Sequence, residues 1–258
     1  MRVGILGASG RVGARLVEQI LTNPGLELAA ALVSPQSRLI GSPVAGGSLE
    51  YRPADAAMRS HCDVMIDFST PAASLAFQET LGTKTIPMVI GTTGFTGEED
   101  QRLTAFGRYR AMLISANFAH GFEAFRLAVV GFSQRMPEAE PAVSETYHAR
   151  KKAEASGTSR LLAAQLFQAR SAAMSFAAPE PSITVNREGD TVGINEVRFE
   201  MGSAEAVFTY RVHTLAAYAE GALAAAHWLA SKPRAAGRYQ LADSLNGNDR
   251  EEQDHDHT

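Results

Sequence analysis

Five apolar runs, each followed by a polar or helix-patterned segment, constrain this 258-residue chain more than any other feature. They cover residues 1–6, 26–34, 63–69, 85–91 and 111–117. Val12, Leu16 and Ile20, flanked by Val17 and Leu21, recur at helical spacing after the first run, and residues 72–81 and 97–106 also read as helices. Strands apolar on both faces and alternating with helices predict an α/β fold, a Rossmann-type doubly wound parallel sheet.

The pattern changes after Asn117. A long helix over about 121–135, the strand "PAVSETYH", a helix from about Ser156 and two strands over 191–200 and 204–214 predict a second, α+β unit with an open mixed sheet. In the last of these, Ala206, Phe208, Tyr210 and Val212 alternate with Val207, Thr209, Arg211 and His213, as one packed and one open face require. A final helix over 216–230 is placed to return to the first unit. The expected division is residues 1–117 with 216–245 as a dinucleotide-binding domain, 118–215 as a substrate-binding and oligomerisation domain, and 246–258 as a disordered polar tail. His255 and His257 in that tail read as solvated residues, and no metal site is expected.

The net charge of −4 argues against a nucleic-acid partner, which calls for a clustered basic surface. No apolar run approaches the roughly 20 residues of a membrane helix, and the first ten residues lack a signal-peptide layout. With one cysteine, Cys62, the chain forms no internal disulfide, and the cytoplasm is the expected compartment.

"GASGRVG", residues 7–13, lies at the first strand-to-helix junction, where glycine lets backbone amides approach a pyrophosphate and a helix N-terminus adds positive potential. Its GxxGxxG spacing also suits a merely structural turn, and position tips the reading toward dinucleotide binding. The second strand ends "VSPQSR", without the acid that bonds ribose hydroxyls; Ser34 and Arg38 stand there instead, with Arg11 as a further candidate for a 2′-phosphate. Arg38 read as an ordinary surface charge is the alternative. "DFSTP" with Phe68, "GTTGF" with Gly91, Thr92 and Thr93, and "SANF" with Ser115, Ala116, Asn117 and Phe118 place small or polar residues at three further strand ends.

"SETYHARKKAEASGTS", residues 144–159, gathers Glu145, Tyr147, His148 and Lys151 ahead of Ser156-Gly157-Thr158. Ser156 or Thr158 caps the following helix on one reading; on the other, its free amides, with His148 and Lys151, receive a small dianion.

These motifs, in this order and approximate spacing, resemble the dihydrodipicolinate reductases, NAD(P)H-dependent enzymes of lysine biosynthesis, from Val3 to about Leu245. The resemblance implies that Gly7, Ala8, Ser9, Gly10, Arg11, Val12, Gly91, Thr92, Thr93 and residues 115–118 contact cofactor. It implies that His148, Gly157 and Thr158 hold the carboxylates of a small dicarboxylate substrate, with Thr93 close by and Ser156 in the same motif. It makes Lys151 the proton donor, and it implies a homotetramer assembled through sheet faces of the middle unit.

The chain departs from that pattern at particular residues. Tyr147 occupies the place of a catalytic histidine, Ala153 of an aspartate, Ala155 of a proline, Asn195 of a second histidine and Leu215 of an arginine. A tyrosine with an ordinary pKa of about 10 donates a hydrogen bond but does not cycle a proton near neutrality, which leaves proton delivery to Lys151. Besides reduction of 4-hydroxy-tetrahydrodipicolinate, two readings stay open: a paralogous NADPH-dependent reductase of another carboxylated cyclic imine or enone, and a catalytically silent dinucleotide-binding protein.

The absence of an acid near Ser34 predicts NADPH as the preferred cofactor, with NADH accepted. Steady-state kinetics should give a higher kcat/KM with NADPH, and joint Arg11→Ala and Arg38→Ala substitution should erase the difference mainly by raising the KM for NADPH. A clear preference for NADH would overturn the expectation.

Overall fold

The computed structural model describes residues 1–54 and 62–245; the expected tail, with His255 and His257, lies outside the described residues. The first apolar run forms β1 (Arg2–Leu6) and leads through the glycine loop into α1 (Arg11–Thr22). β2 (Glu27–Val33), β3 (Tyr51–Pro53), β4 (Val64–Asp67), α2 (Pro71–Leu81), β5 (Met88–Ile90), α3 (Gly97–Ala105) and β6 (Ala111–Ile114) follow. The chain then leaves this layer for α4 (Phe122–Arg135), β7 (Glu140–Tyr147), α5 (Gly157–Met174), β8 (Ser182–Arg187), β9 (Gly193–Glu200) and β10 (Glu205–Val212). It returns with α6 (Ala216–Ala230), β11 (Gly237–Tyr239) and α7 (Leu241–Leu245).

The first sheet has the order β11-β6-β5-β4-β1-β2-β3, with every neighbouring pair parallel. The inner strands are largely apolar because both faces are covered. Val3, Ile5, Ile66, Val89 and Leu113 pack against α1 and α6, whereas Met65, Met88, Ile90 and Met112 pack against α2 and α3. Strand order reverses between β1 and β4, which opens a crevice outside their carboxyl ends.

The second sheet, β10-β9-β7-β8, is mixed: β7 runs parallel to β8 and antiparallel to β9, and β9 antiparallel to β10. Its inner face lays Val143, Val197 and Phe199 against Phe122 and Val129 of α4 and Leu162 and Leu166 of α5. The predicted alternation in β10 holds: Ala206, Phe208 and Tyr210 are half-buried and Val207, Thr209 and Arg211 exposed. The predicted α/β fold and accompanying mixed sheet are thus both present.

Three strands were not foreseen. β3 and β11 are three-residue edge strands, too short to carry a pattern, and β8 is an edge strand exposed at alternate residues. The apolar runs are also longer than the strands they contain: residues 85–87 precede β5, and residues 115–117 follow β6. Leu21, expected to flank the buried stripe of α1, is 54% exposed, because the buried stripe runs through Gly13, Leu16, Val17 and Ile20.

The two crossings between the sheets touch. His120 N donates to Ala217 O at 3.1 Å, and α6 lies so close to the first crossing that a Cβ on Gly221 would sit 1.7 Å from Phe118 O. Gly221→Ala must therefore push α6 from its seat. Urea unfolding should show a loss at or above the upper end of the roughly 1–3 kcal/mol typical of overpacking.

Candidate active site

The glycine loop is shaped by close approach. Gly7 has φ +86°, and a Cβ there would stand 2.5 Å from Phe68 O; one on Gly13 would stand 2.1 Å from Gly7 O. Gly10 caps α1 without a side-chain acceptor, so the first amides of the helix keep their positive potential for an anion. At the neighbouring strand ends, Asp67 Oδ1 accepts from Ser69 N at 2.9 Å, Ser69 Oγ at 2.6 Å and Thr92 Oγ1 at 2.8 Å. That cross-link joins "DFSTP" to "GTTGF". Burial pushes the Asp67 carboxyl above its ordinary range, against the pull of the Ser69, Ser74 and Thr92 hydrogen bonds. The Phe68 ring fills the place a side chain on Gly91 would need and meets Phe118 edge to face at 5.9 Å.

"SANF" and "SGT" come together. Asn117 Nδ2 donates to Thr158 Oγ1 at 3.4 Å while its Oδ1 accepts from Ala119 N at 2.8 Å. Ser156 is the N-cap of α5, its hydroxyl accepting from Ser159 N at 3.2 Å. A cavity of about 460 Å³ opens between these ends, lined by Thr92, Thr93, Ser115, Ala116 and Gly157 and floored by the buried Glu123–Arg126 ion pair.

A buried carboxylate holds the loop between β7 and α5. Glu145, on the inner face of β7, is fully buried, accepts from Ser156 N at 3.0 Å and from Ser159 Oγ, and pairs with Arg187 Nη2 at 2.9 Å. Arg187 also donates to Lys152 O at 2.6 and 2.9 Å and to Glu154 O at 2.9 Å. Burial alone would raise the Glu145 carboxyl; the hydrogen bonds from Ser156 and Ser159, with Arg187, outweigh it and hold it below its ordinary value.

Lys151 projects from this loop. Its Nζ sits 3.1 Å from the centroid of the Tyr147 ring, and desolvation, opposed by Glu145 and reinforced by Arg187 and Arg11, brings its pKa down to about 8. Tyr147 is 5% exposed, its hydroxyl donating to Asn195 Oδ1 at 3.3 Å, and burial raises its pKa. Arg11 Nη1 donates to His148 Nε2 at 2.8 Å, so the glycine loop touches the segment over residues 144–159 directly. That bond assigns the imidazole proton to Nδ1, which is buried and has no hydrogen-bond partner among the described residues. Desolvation, then the charges of Arg11, Arg150, Lys151 and Arg187, lower the His148 pKa and favour the neutral ring.

The cavity thus lies between the ends of β5 and β6 and the start of α5, and the Arg11–His148 bond ties the glycine loop to the segment from Tyr147 to Thr158. Ser34 and Arg38 stand apart on the exposed end of β2, Ser34 spending its hydroxyl on Gln36 Oε1 at 2.7 Å. Arg11 reaches His148 rather than those two. Arg187 opens the stretch "REGDTVGIN", whose resemblance to the family pattern assigns it no role; its pairing with Glu145 supplies one. Among the described residues no cluster of three or more His, Cys, Asp or Glu is arranged to hold a metal, and no helix is long and apolar enough to cross a membrane.

A 3-2-1-4-5-6 parallel order with a glycine loop at the first strand end defines a dinucleotide-binding α/β protein. Comparison with known proteins narrows the class. The family models for the dihydrodipicolinate reductase N-terminus and C-terminus match residues 1–118 and 121–245, and the chain belongs to that family of NAD(P)H-dependent oxidoreductases. The 4-hydroxy-tetrahydrodipicolinate reductase of Psychrobacter arcticus is 30% identical, covering 96% of each chain. That of Ralstonia nicotianae is 31% identical, over 95% of this chain and 99% of its own. The dipicolinate-bound dihydrodipicolinate reductase from Paenisporosarcina sp. TG-14 shares the fold, with a TM-score of 0.73 at 19% identity over 93% of this chain and 97% of that one.

Breaking the Glu145–Arg187 pair tests the loop's anchor. Arg187→Met leaves a buried carboxylate without its cation and should lower the unfolding free energy by about 3–5 kcal/mol. Because the folded Glu145 carboxyl lies below its unfolded value of about 4.3, its stabilisation is full above that pH and drains as acid protonates the folded form. Denaturant unfolding between pH 7 and pH 3 should show this loss in the wild type and a shallower one in Arg187→Met.

Proposed function

We propose that this protein reduces 4-hydroxy-tetrahydrodipicolinate to tetrahydrodipicolinate with NAD(P)H, in the lysine and diaminopimelate route. The observation that carries the reading is the meeting of the glycine loop, through Arg11, with the segment that holds His148 and Lys151. The glycine loop fits a dinucleotide: Gly7 and Gly13 leave no room for side chains, and α1 offers uncapped amides. Gly7, Ala8, Ser9, Gly10 and Val12 would hold the pyrophosphate; Phe68, Gly91, Thr92 and residues 115–118 would flank the nicotinamide. The lack of an acid beside Ser34 and Arg38 at the end of β2 supports a contact to a 2′-phosphate and a preference for NADPH over NADH. When bound, the nicotinamide supplies a hydride.

The chain's own residues do the rest. Ser156, Gly157 and Thr158 offer the first turn of α5 to the carboxylates of the substrate, with His148, held by Arg11, upstream in the same segment; Thr93 lines the same cavity as Gly157. Lys151 gives the proton that the reduced ring system takes up, and its charge stabilises the negative charge that develops first. Water leaves in the overall reaction. Residues 1–117 and 216–245 serve as the dinucleotide domain and 118–215 as the substrate and oligomerisation domain of a cytoplasmic homotetramer.

A lysine that donates a proton must start protonated. With its pKa at about 8, turnover should be flat near neutrality and fall as pH rises through that value. Lys151→Met should lower turnover of the lysine-pathway substrate by about 10²–10⁴-fold, the range of general acid catalysis, with NADPH binding intact by fluorescence titration. Near-normal turnover in Lys151→Met would remove it from the mechanism. No turnover by the wild type would overturn the assignment itself.

A further inference from the structure

We propose that Tyr147 is a positioning residue for Lys151: the face of its ring, rather than its hydroxyl, fixes the ammonium in the crevice. The inference rests on the reading of Lys151 as proton donor. Three observations carry it. The Lys151 Nζ lies over the ring at 3.1 Å from the centroid. The hydroxyl, in a side chain that is almost wholly buried, is turned away from Lys151, to Asn195 Oδ1 at 3.3 Å and the start of α5 at Ser156 and Thr158. The ring also has a seat made for it: a Cβ on Gly193 would stand 2.8 Å from Tyr147 Cε1, so any larger residue there would displace it.

The surroundings give Lys151 few other holds. Glu145, the carboxylate that acts on it, is occupied by Ser156, Ser159 and Arg187. Arg187 from β8 and Arg11 from α1 are cations that repel it. His148 is engaged by Arg11, and Tyr218 from α6, like Tyr147, is pushed by burial further toward its neutral form. An aromatic face attracts an ammonium through its quadrupole yet accepts no proton from it, so the cation is held and remains free to donate. A carboxylate in the same place would raise the lysine's pKa and bind its protons. Desolvation, with the Arg187 and Arg11 charges, brings the Lys151 pKa down to about 8, and the attraction of the ring face works against that loss of charge.

Tyr147 and Asn195, the two departures from histidine, are in contact and act as one change. Together they replace titrating rings with a neutral pair whose far end anchors the platform.

The chain has four lysines, Lys84, Lys151, Lys152 and Lys232, so the side-chain resonances of protein labelled at lysine Cε are few enough to resolve. Lys151→Met assigns the signal of interest in the cofactor-free protein. An ammonium above a ring face should show upfield-shifted Cε protons, with the shift lost in Tyr147→Leu and kept in Tyr147→Phe. In turnover, Tyr147→Leu should lower kcat about 3–30-fold, the range a cation–π contact supplies, with the KM for NADPH unchanged. Tyr147→Phe should recover most of that loss. An unshifted Lys151 signal in the wild type overturns the proposal without any variant at position 147, and so does a Tyr147→Phe as impaired as Tyr147→Leu. If the wild type reduces no cyclic imine, the functional reading falls and the resonance shift alone decides where the ammonium sits.

Discussion

The mixed sheet and the loop that leads into α5 depend on one buried ion pair. Glu145 is fully enclosed by its own sheet and α5, and a carboxylate so placed survives only with charge and hydrogen bonds around it. Arg187 provides the charge, and the α5 cap at Ser156 and Ser159 provides the hydrogen bonds. The same guanidinium grips the carbonyls of Lys152 and Glu154. One interaction therefore joins β7, β8, the start of α5 and the intervening loop. It also explains how the loop tolerates alanine at 153 and 155: its path is set from below by Arg187, not by rigid residues within it.

The two halves make contact through few groups, each with a clear geometric duty. Arg11 reaches His148 from the glycine loop, and Asn117 reaches Thr158 from the end of β6. Both bonds run between strand ends of the parallel sheet and the segment that begins α5. The active crevice is thus bounded by backbone turns and helix starts, where amides stand free, and few long side chains are needed to make it polar.

Much of this was legible in the sequence because it is written in local pattern. The parallel sheet followed from runs apolar on both faces, and the open face of β10 from strict alternation. The strand-end motifs were visible because glycine, serine and threonine cluster where the chain must turn beside a ligand. What could not be read was pairing at long range. Arg187 is one arginine among 20 until β8 sets it beside Glu145. The contact of Tyr147 with Asn195 likewise exists only because β7 and β9 align Glu145 with Asn195 and Thr146 with Ile194. Short edge strands such as β3 and β11 carry no period and owe their form to their neighbours.

β7, α5 and β8 form a parallel crossover of their own inside the mixed sheet. The loop bearing Lys151 thereby has the same construction as the glycine loop: a strand end, an irregular bend and the first turn of a helix. The protein thus contains two copies of one architectural idea, joined at a few points. Such an arrangement is modular. Residues 147, 153, 155 and 195 could change together in one loop and its backing while the other loop kept its shape, which is a route by which a lineage can revise its chemistry without surrendering its cofactor.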